Sequence, residues 1–170
     1  MTKKLFVVVA VLGLTSVAIF GQAKPSIQGV WRVAERTTTG PTAATNKNPQ
    51  PSLYIFTAKH YSMMQDSSVK PRPMVEGLGA GATAKLTDAE MMTRYREWAP
   101  VQANSGTYEV KGNTLTVRPA IAKSTAVMAS KTGASFQFKM DGDSLWLIAV
   151  IGPTGEKSVN PTTLKLTRVE

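Results

Sequence analysis

The chain reads as an all-β protein, an antiparallel up-and-down β-barrel of about eight strands with one α-helix. Three observations predict this. Apolar and polar residues alternate in about eight short segments separated by Gly, Pro, Asn and Asp. Two of the breaks, Gly112-Asn113 and Asp141-Gly142, have the residues that tight two-residue hairpins need. The 170 residues contain no cysteine, so stability has to come from one packed core rather than from disulfides. Closing the sheet on itself then removes the free edges that an open sheet would have to protect.

The chain begins Met1-Thr2-Lys3-Lys4, continues with an apolar run over 5–20 and passes into Gly21-Gln22-Ala23. A basic start, an apolar centre and small residues before a break are the pattern of a secretory signal peptide, cut after about Ala23. The run falls short of the ~20 residues that cross a bilayer as a helix. No cysteine follows it to carry a lipid. The expected organisation is a signal peptide over 1–23 and one barrel domain over 24–170. The protein would be exported, periplasmic or secreted, with no integral membrane segment after cleavage.

The first predicted strand covers 27–36, with Ile27, Trp31, Val33 and Glu35 on one parity and Arg32 and Arg36 on the other. A Thr-, Pro- and Asn-rich loop follows over 37–51. Segments 52–57 and 59–65 form a hairpin around Ala58. Its inward parity is open: Leu53 and Ile55 compete with Tyr54 and Phe56, and His60 and Met64 with Tyr61 and Met63.

Thr87-Asp88-Ala89-Glu90 is a capping box that starts a helix over 88–98, which Pro100 stops. Met91, Tyr95 and Trp98 share one stripe, and Glu90 and Arg94 stand at pairing distance, so the helix is expected to pack on the barrel or close one end. Segments 105–111 and 114–119 flank Gly112-Asn113, and Phe136, Phe138 and Met140 lead into Asp141-Gly142. Segment 145–151 is apolar on both faces. It therefore needs a helix or second subunit over its outer side, or a central position. The last strand, 162–169, places Leu164, Leu166 and Arg168 on one face.

The formal net charge is +9, of which Lys3 and Lys4 supply two and leave with the signal peptide. The remaining basic residues are spread singly, with no basic run and no aromatic-interleaved stripe, so nucleic acid is not an expected partner.

Gly29-Val30-Trp31 on the first strand, with Arg168 on the inward face of the last, resembles the lipocalin signature. Ser52-Leu53-Tyr54-Ile55-Phe56, Lys59-His60-Tyr61-Ser62, Pro71-Arg72-Pro73, Ser105-Gly106-Thr107-Tyr108-Glu109-Val110 and Leu164-Lys165-Leu166-Thr167-Arg168-Val169 resemble, in order, the bacterial lipocalin-like domain proteins. That resemblance implies a calycin-type barrel in which Gly29, Trp31 and Arg168 are structural, the Arg lying across the Trp at the narrow end. It also implies binding of a small ligand, and no particular reaction.

The candidate ligand contacts are Tyr54, Tyr61, Met63, Arg72, Tyr108, Phe136 and Phe138, an adaptable aromatic and thioether set that equally suits a filled core. His60 is the only histidine, so no multi-histidine metal site forms within one chain, and no metal or other cofactor is expected. Gly77-Leu78-Gly79-Ala80-Gly81 lacks the strand and βαβ unit of a nucleotide loop, and suits a lid over the barrel mouth. The candidate catalytic residues are His60, Tyr61 and, if the first strand stays regular, an interior Glu35; otherwise Glu35 lies solvated at the rim. Three readings follow: a small apolar or amphipathic ligand held in the barrel, an isomerase or cyclase working inside it, or self-association into a homodimer through the outer face around Trp146 and Ile148.

Overall fold

The computed structural model describes residues 26–72 and 86–170. The proposed signal peptide, Pro73 and the Gly77–Gly81 stretch lie outside the described residues. The elements are β1 (Gly29–Thr38), β2 (Ala44–Asn46), β3 (Ser52–Phe56), β4 (His60–Asp66), α1 (Asp88–Trp98), β5 (Val101–Lys111), β6 (Thr114–Ala122), α2 (Thr125–Ala129), β7 (Ala134–Asp141), β8 (Ser144–Ile151) and β9 (Thr162–Arg168). All strand pairs are antiparallel. β1 and β3 to β9 follow one another around the sheet, and β9 pairs back onto β1, so eight strands form a closed barrel. The ninth, β2, extends only the end of β1, at Arg36, Thr37 and Thr38.

Closure is built around Trp31, which is fully buried and donates its indole N–H to the Ile27 carbonyl at 2.8 Å. Its cross-strand partner is Arg168, whose guanidinium lies 4.1 Å from the indole centroid. That guanidinium also donates to the carbonyls of Gln28 at 2.7 Å and Ser26 at 3.0 Å. A cation over an aromatic face gains about 0.5–2 kcal/mol. Gly29 has φ +133°, and a Cβ there would collide with Arg168 Nη1 and the Glu170 carbonyl. The strand must pass this close for the arginine to reach across, which only glycine permits.

The two ends of the barrel differ. The turns after β3, β5 and β7 are short and gather beside Trp31 and Arg168. The connections after β1, β4, β6 and β8 are long and leave from, and return to, the other end. Buried Trp31, Val33, Leu115, Leu145, Leu147 and Leu166 form the core between the walls.

The open parities are decided by the core. Tyr54 and Phe56 point inward from β3 and Tyr61, Met63 and Gln65 from β4, while Leu53, His60 and Met64 are exposed. One expectation on β1 is corrected. Val33 opposes Leu166, but the next pairs are Glu35 with Lys165 and Arg36 with Leu164, so Ala34 is an extra residue that breaks the alternation. Leu164 and Leu166 face the core, so Arg36 points inward and Glu35 outward.

Among the described residues no helix covers the apolar outer side of β8. Trp146 is flanked across the sheet by Lys139 and Lys165, whose ammonium groups stand 5.6 and 5.4 Å from its ring centroid. Their alkyl stems cover apolar surface while the charges stay hydrated. Trp146 and Ile148 are accordingly half-buried.

Helix α1 has its capping box: Glu90 N–H donates to Thr87 Oγ1 at 3.3 Å, and Thr87 N–H donates to Glu90 Oε2 at 2.7 Å. The expected packing of its apolar stripe is not found, because Met91, Tyr95 and Trp98 are exposed and none of its residues is buried. The helix is held at its C-terminal end instead. Lys123 Nζ donates to the carbonyls of Trp98 and Ala99, which the end of the helix leaves unpaired, and to that of Val101 at the start of β5.

Removing the closing arginine tests this account. Arg168→Ala should lower the unfolding free energy by about 2 kcal/mol in urea titrations, with Arg168→Lys intermediate because it keeps the charge but loses the planar fork. Equal stability of all three proteins would show that the pair does not close the barrel.

Candidate functional site

The barrel is hollow on the side of the long connections. A cavity of about 540 Å³ opens between them, with Leu115, Val117, Leu147 and Leu164 among its lining residues. The register explains where the room comes from. β6 pairs with β7 only from Thr114 to Val117, and its remaining residues diverge toward α2. A second irregularity helps: Gly106 sits where a Cβ would strike the Arg118 carbonyl, beside the extra residue Ala120 that bends β6 outward.

The structure divides the candidate contacts. Tyr54, Tyr61, Met63 and Phe136 line the cavity. Tyr108 lies toward the closed end, edge-on to Phe56 at 5.4 Å, and donates its hydroxyl to the Thr57 carbonyl at 2.6 Å. Phe138 opposes Leu147 on β8 and packs against the core. Arg72 is not part of the cavity wall. Its Nε stands 2.7 Å from Asp66 Oδ2, and its guanidinium 5.4 Å from the Trp98 ring centroid. Partial burial works against the Asp66 carboxylate, but hydrogen bonds from Ser68 and Arg72 outweigh it and hold the carboxyl below its ordinary range.

His60, Tyr61 and Glu35 do not converge. Tyr61 faces the cavity, His60 is exposed on the opposite face of β4, and Glu35 sits outside, with the Thr37 hydroxyl 3.5 Å from its carboxylate. Among the described residues no three His, Cys, Asp or Glu side chains gather as metal ligands, and no helix is long and apolar enough to cross a membrane.

Sequence reasoning missed the polar interior. Tyr54 donates its hydroxyl to Gln65 Oε1 at 2.8 Å, and Tyr61 donates to Asn104 Oδ1 at 2.5 Å. Gln65, Asn104 and Arg36 all border the cavity. Gln65 shares parity with Tyr61 and Met63, a signal that was visible. Arg36 was hidden by the bulge. Burial pushes the Tyr54 phenol far above its usual value, against the opposing pull of the nearby Arg36 charge. Burial likewise raises Tyr61, to about 12.

No protein-family model and no curated protein matches this chain. The closed eight-stranded barrel, with an arginine roofing a tryptophan, is consistent with a lipocalin-like fold.

The raised phenol predicts a stability change in alkali. Below pH 10 Tyr61 is neutral in both states and its contribution is constant. Between about 10 and about 12 the unfolded chain loses this proton while the folded protein keeps it, so stability falls as pH rises. Urea midpoints measured across that window should fall less steeply for Tyr61→Phe than for the wild type. Identical slopes would mean that the folded state does not suppress ionisation of this phenol.

Proposed function

We propose that this chain is an exported lipocalin-like protein that holds a small apolar or amphipathic molecule in its barrel. The observation that carries the reading is the hollow interior. Its volume of about 540 Å³ lies within the roughly 300–1,000 Å³ typical of small-molecule sites. Its wall is mainly apolar with a few placed polar groups, which is how such sites combine affinity with orientation. A barrel of this strand number can instead be filled by its own side chains, so the cavity is a specific feature of this sequence. The described parts of the connections after β6 and β8, at Ser124, Val127, Pro153 and Ser158, border its mouth and suit a gate. The likeness to the lipocalin-like domain proteins, from Gly29-Val30-Trp31 through Leu164 to Val169, supports the same reading. The basic start, apolar run and Gly21-Gln22-Ala23 break support export, with cleavage after Ala23.

Two measurements test this. Wild-type protein should bind the neutral fluorophore N-phenyl-1-naphthylamine saturably at one site. Ala149→Trp, which places an indole in the cavity opposite Phe136, should weaken that binding by about tenfold or more through steric exclusion, with the thermal midpoint unchanged or raised. An inability of the wild type to bind, with no molecule retained in its native mass spectrum, would remove the calyx reading. Independently, N-terminal sequencing of protein recovered from the periplasm or medium should begin at Lys24. Retention of the full chain in the cytoplasm would refute export.

A further inference from the structure

The interior carries a positive charge that no group among the described residues answers. The bulge at Ala34 turns Arg36 to the same face as Leu164, and the half-buried residue lines the cavity. Among the described residues it makes no ion pair and no side-chain hydrogen bond. Among the described residues the one carboxylate bordering the cavity, Glu156, is exposed at the mouth and accepts from the Thr154 hydroxyl. A cation held in an apolar wall without a counter-charge is destabilising unless something else supplies that charge.

The neighbouring polar groups point the same way. Tyr54 and Tyr61 occupy the carbonyl oxygens of Gln65 and Asn104. The amide N–H₂ groups of both residues are left without a described protein acceptor. No described side-chain N or O atom is both sealed off and unpartnered, so these donors and the guanidinium reach the cavity's open space. The unused polar capacity is one positive charge and neutral donors, a set that recognises an acceptor bearing a single negative charge. A carboxylate fits, because its two oxygens match the guanidinium fork. A phosphate dianion fits less well, since Lys123, the other cation among the described cavity residues, is committed to the carbonyls at the end of α1 and the start of β5.

Resting on the calyx reading above, we propose that the ligand is an amphipathic monocarboxylate, its carboxylate paired with Arg36 and its apolar body against Met63, Phe136 and Leu147. The experiment compares three probes of equal chain length, dodecanoate, dodecan-1-ol and dodecyl phosphate, by titration calorimetry. Wild-type protein should bind dodecanoate about tenfold or more tighter than the alcohol, the range expected for a charge-assisted pair, and tighter than the phosphate. Arg36→Gln should abolish that preference while leaving alcohol binding within about twofold, and Arg36→Lys should restore part of it. The ligand-free Arg36→Met protein should melt at a higher temperature than the wild type, because a half-buried charge with no described counter-charge is removed. Alcohol binding without preference for the carboxylate, a preference that survives Arg36→Gln, or tighter binding of the phosphate would overturn the assignment and leave the calyx reading standing. Binding of none of the three by the wild type would remove both.

Discussion

The barrel depends on the contact between Arg168 and Trp31. One indole fills the narrow end, and one guanidinium covers its face while tying down the carbonyls of Ser26 and Gln28. These groups come from opposite ends of the domain, so the contact exists only once β9 has returned to β1. It therefore rewards closure as such, and not any local hairpin. Loop-closure entropy has to be overcome before such a contact forms. A buried aromatic with several simultaneous polar anchors is suited to offsetting it. Val30 N–H donates to the Glu170 carbonyl at 3.0 Å, and Val169 N–H to the Val30 carbonyl at 2.7 Å, which extends the same seam through the backbone.

Once that end is sealed, the up-and-down topology puts every second connection at the other end. The short hairpins lie beside Trp31, so all length in the connecting segments accumulates around the mouth. The cavity is the consequence of this asymmetry together with the short pairing of β6 and β7. Where β6 leaves β7 after Val117, the cavity opens beside Val117, Pro119, Ala122 and Ala134. The same divergence frees Lys123 to bridge the end of α1 to the barrel rim.

Polar chemistry inside the barrel is governed by two pairings and one bulge. The two tyrosine hydroxyls are paired with amide oxygens, and burial keeps both phenols protonated through the ordinary pH range. The bulge at Ala34 exchanges which charge faces inward. Without it Glu35 would be the interior group, and the cavity would present a carboxylate where it presents a guanidinium. One inserted residue thus sets the sign of the interior.

The sequence by itself determined the class, the main strand segments and the capped helix, because each is written in local alternation or in turn residues, while the closing pair came from the likeness of Gly29-Val30-Trp31 and Arg168 to the lipocalin signature. It left out β2 and α2, which are too short to show a period. It left the faces of β3 and β4 open, since both parities carry apolar side chains and only packing against the closed core selects Tyr54 and Tyr61. It placed the apolar stripe of α1 against the barrel, whereas the helix is anchored through its terminal carbonyls. The interior cation and the hollow itself were decided by tertiary structure. A bulge is a mismatch between two strands' registers, and a void is the absence of a neighbour; neither is a property of any one segment of sequence.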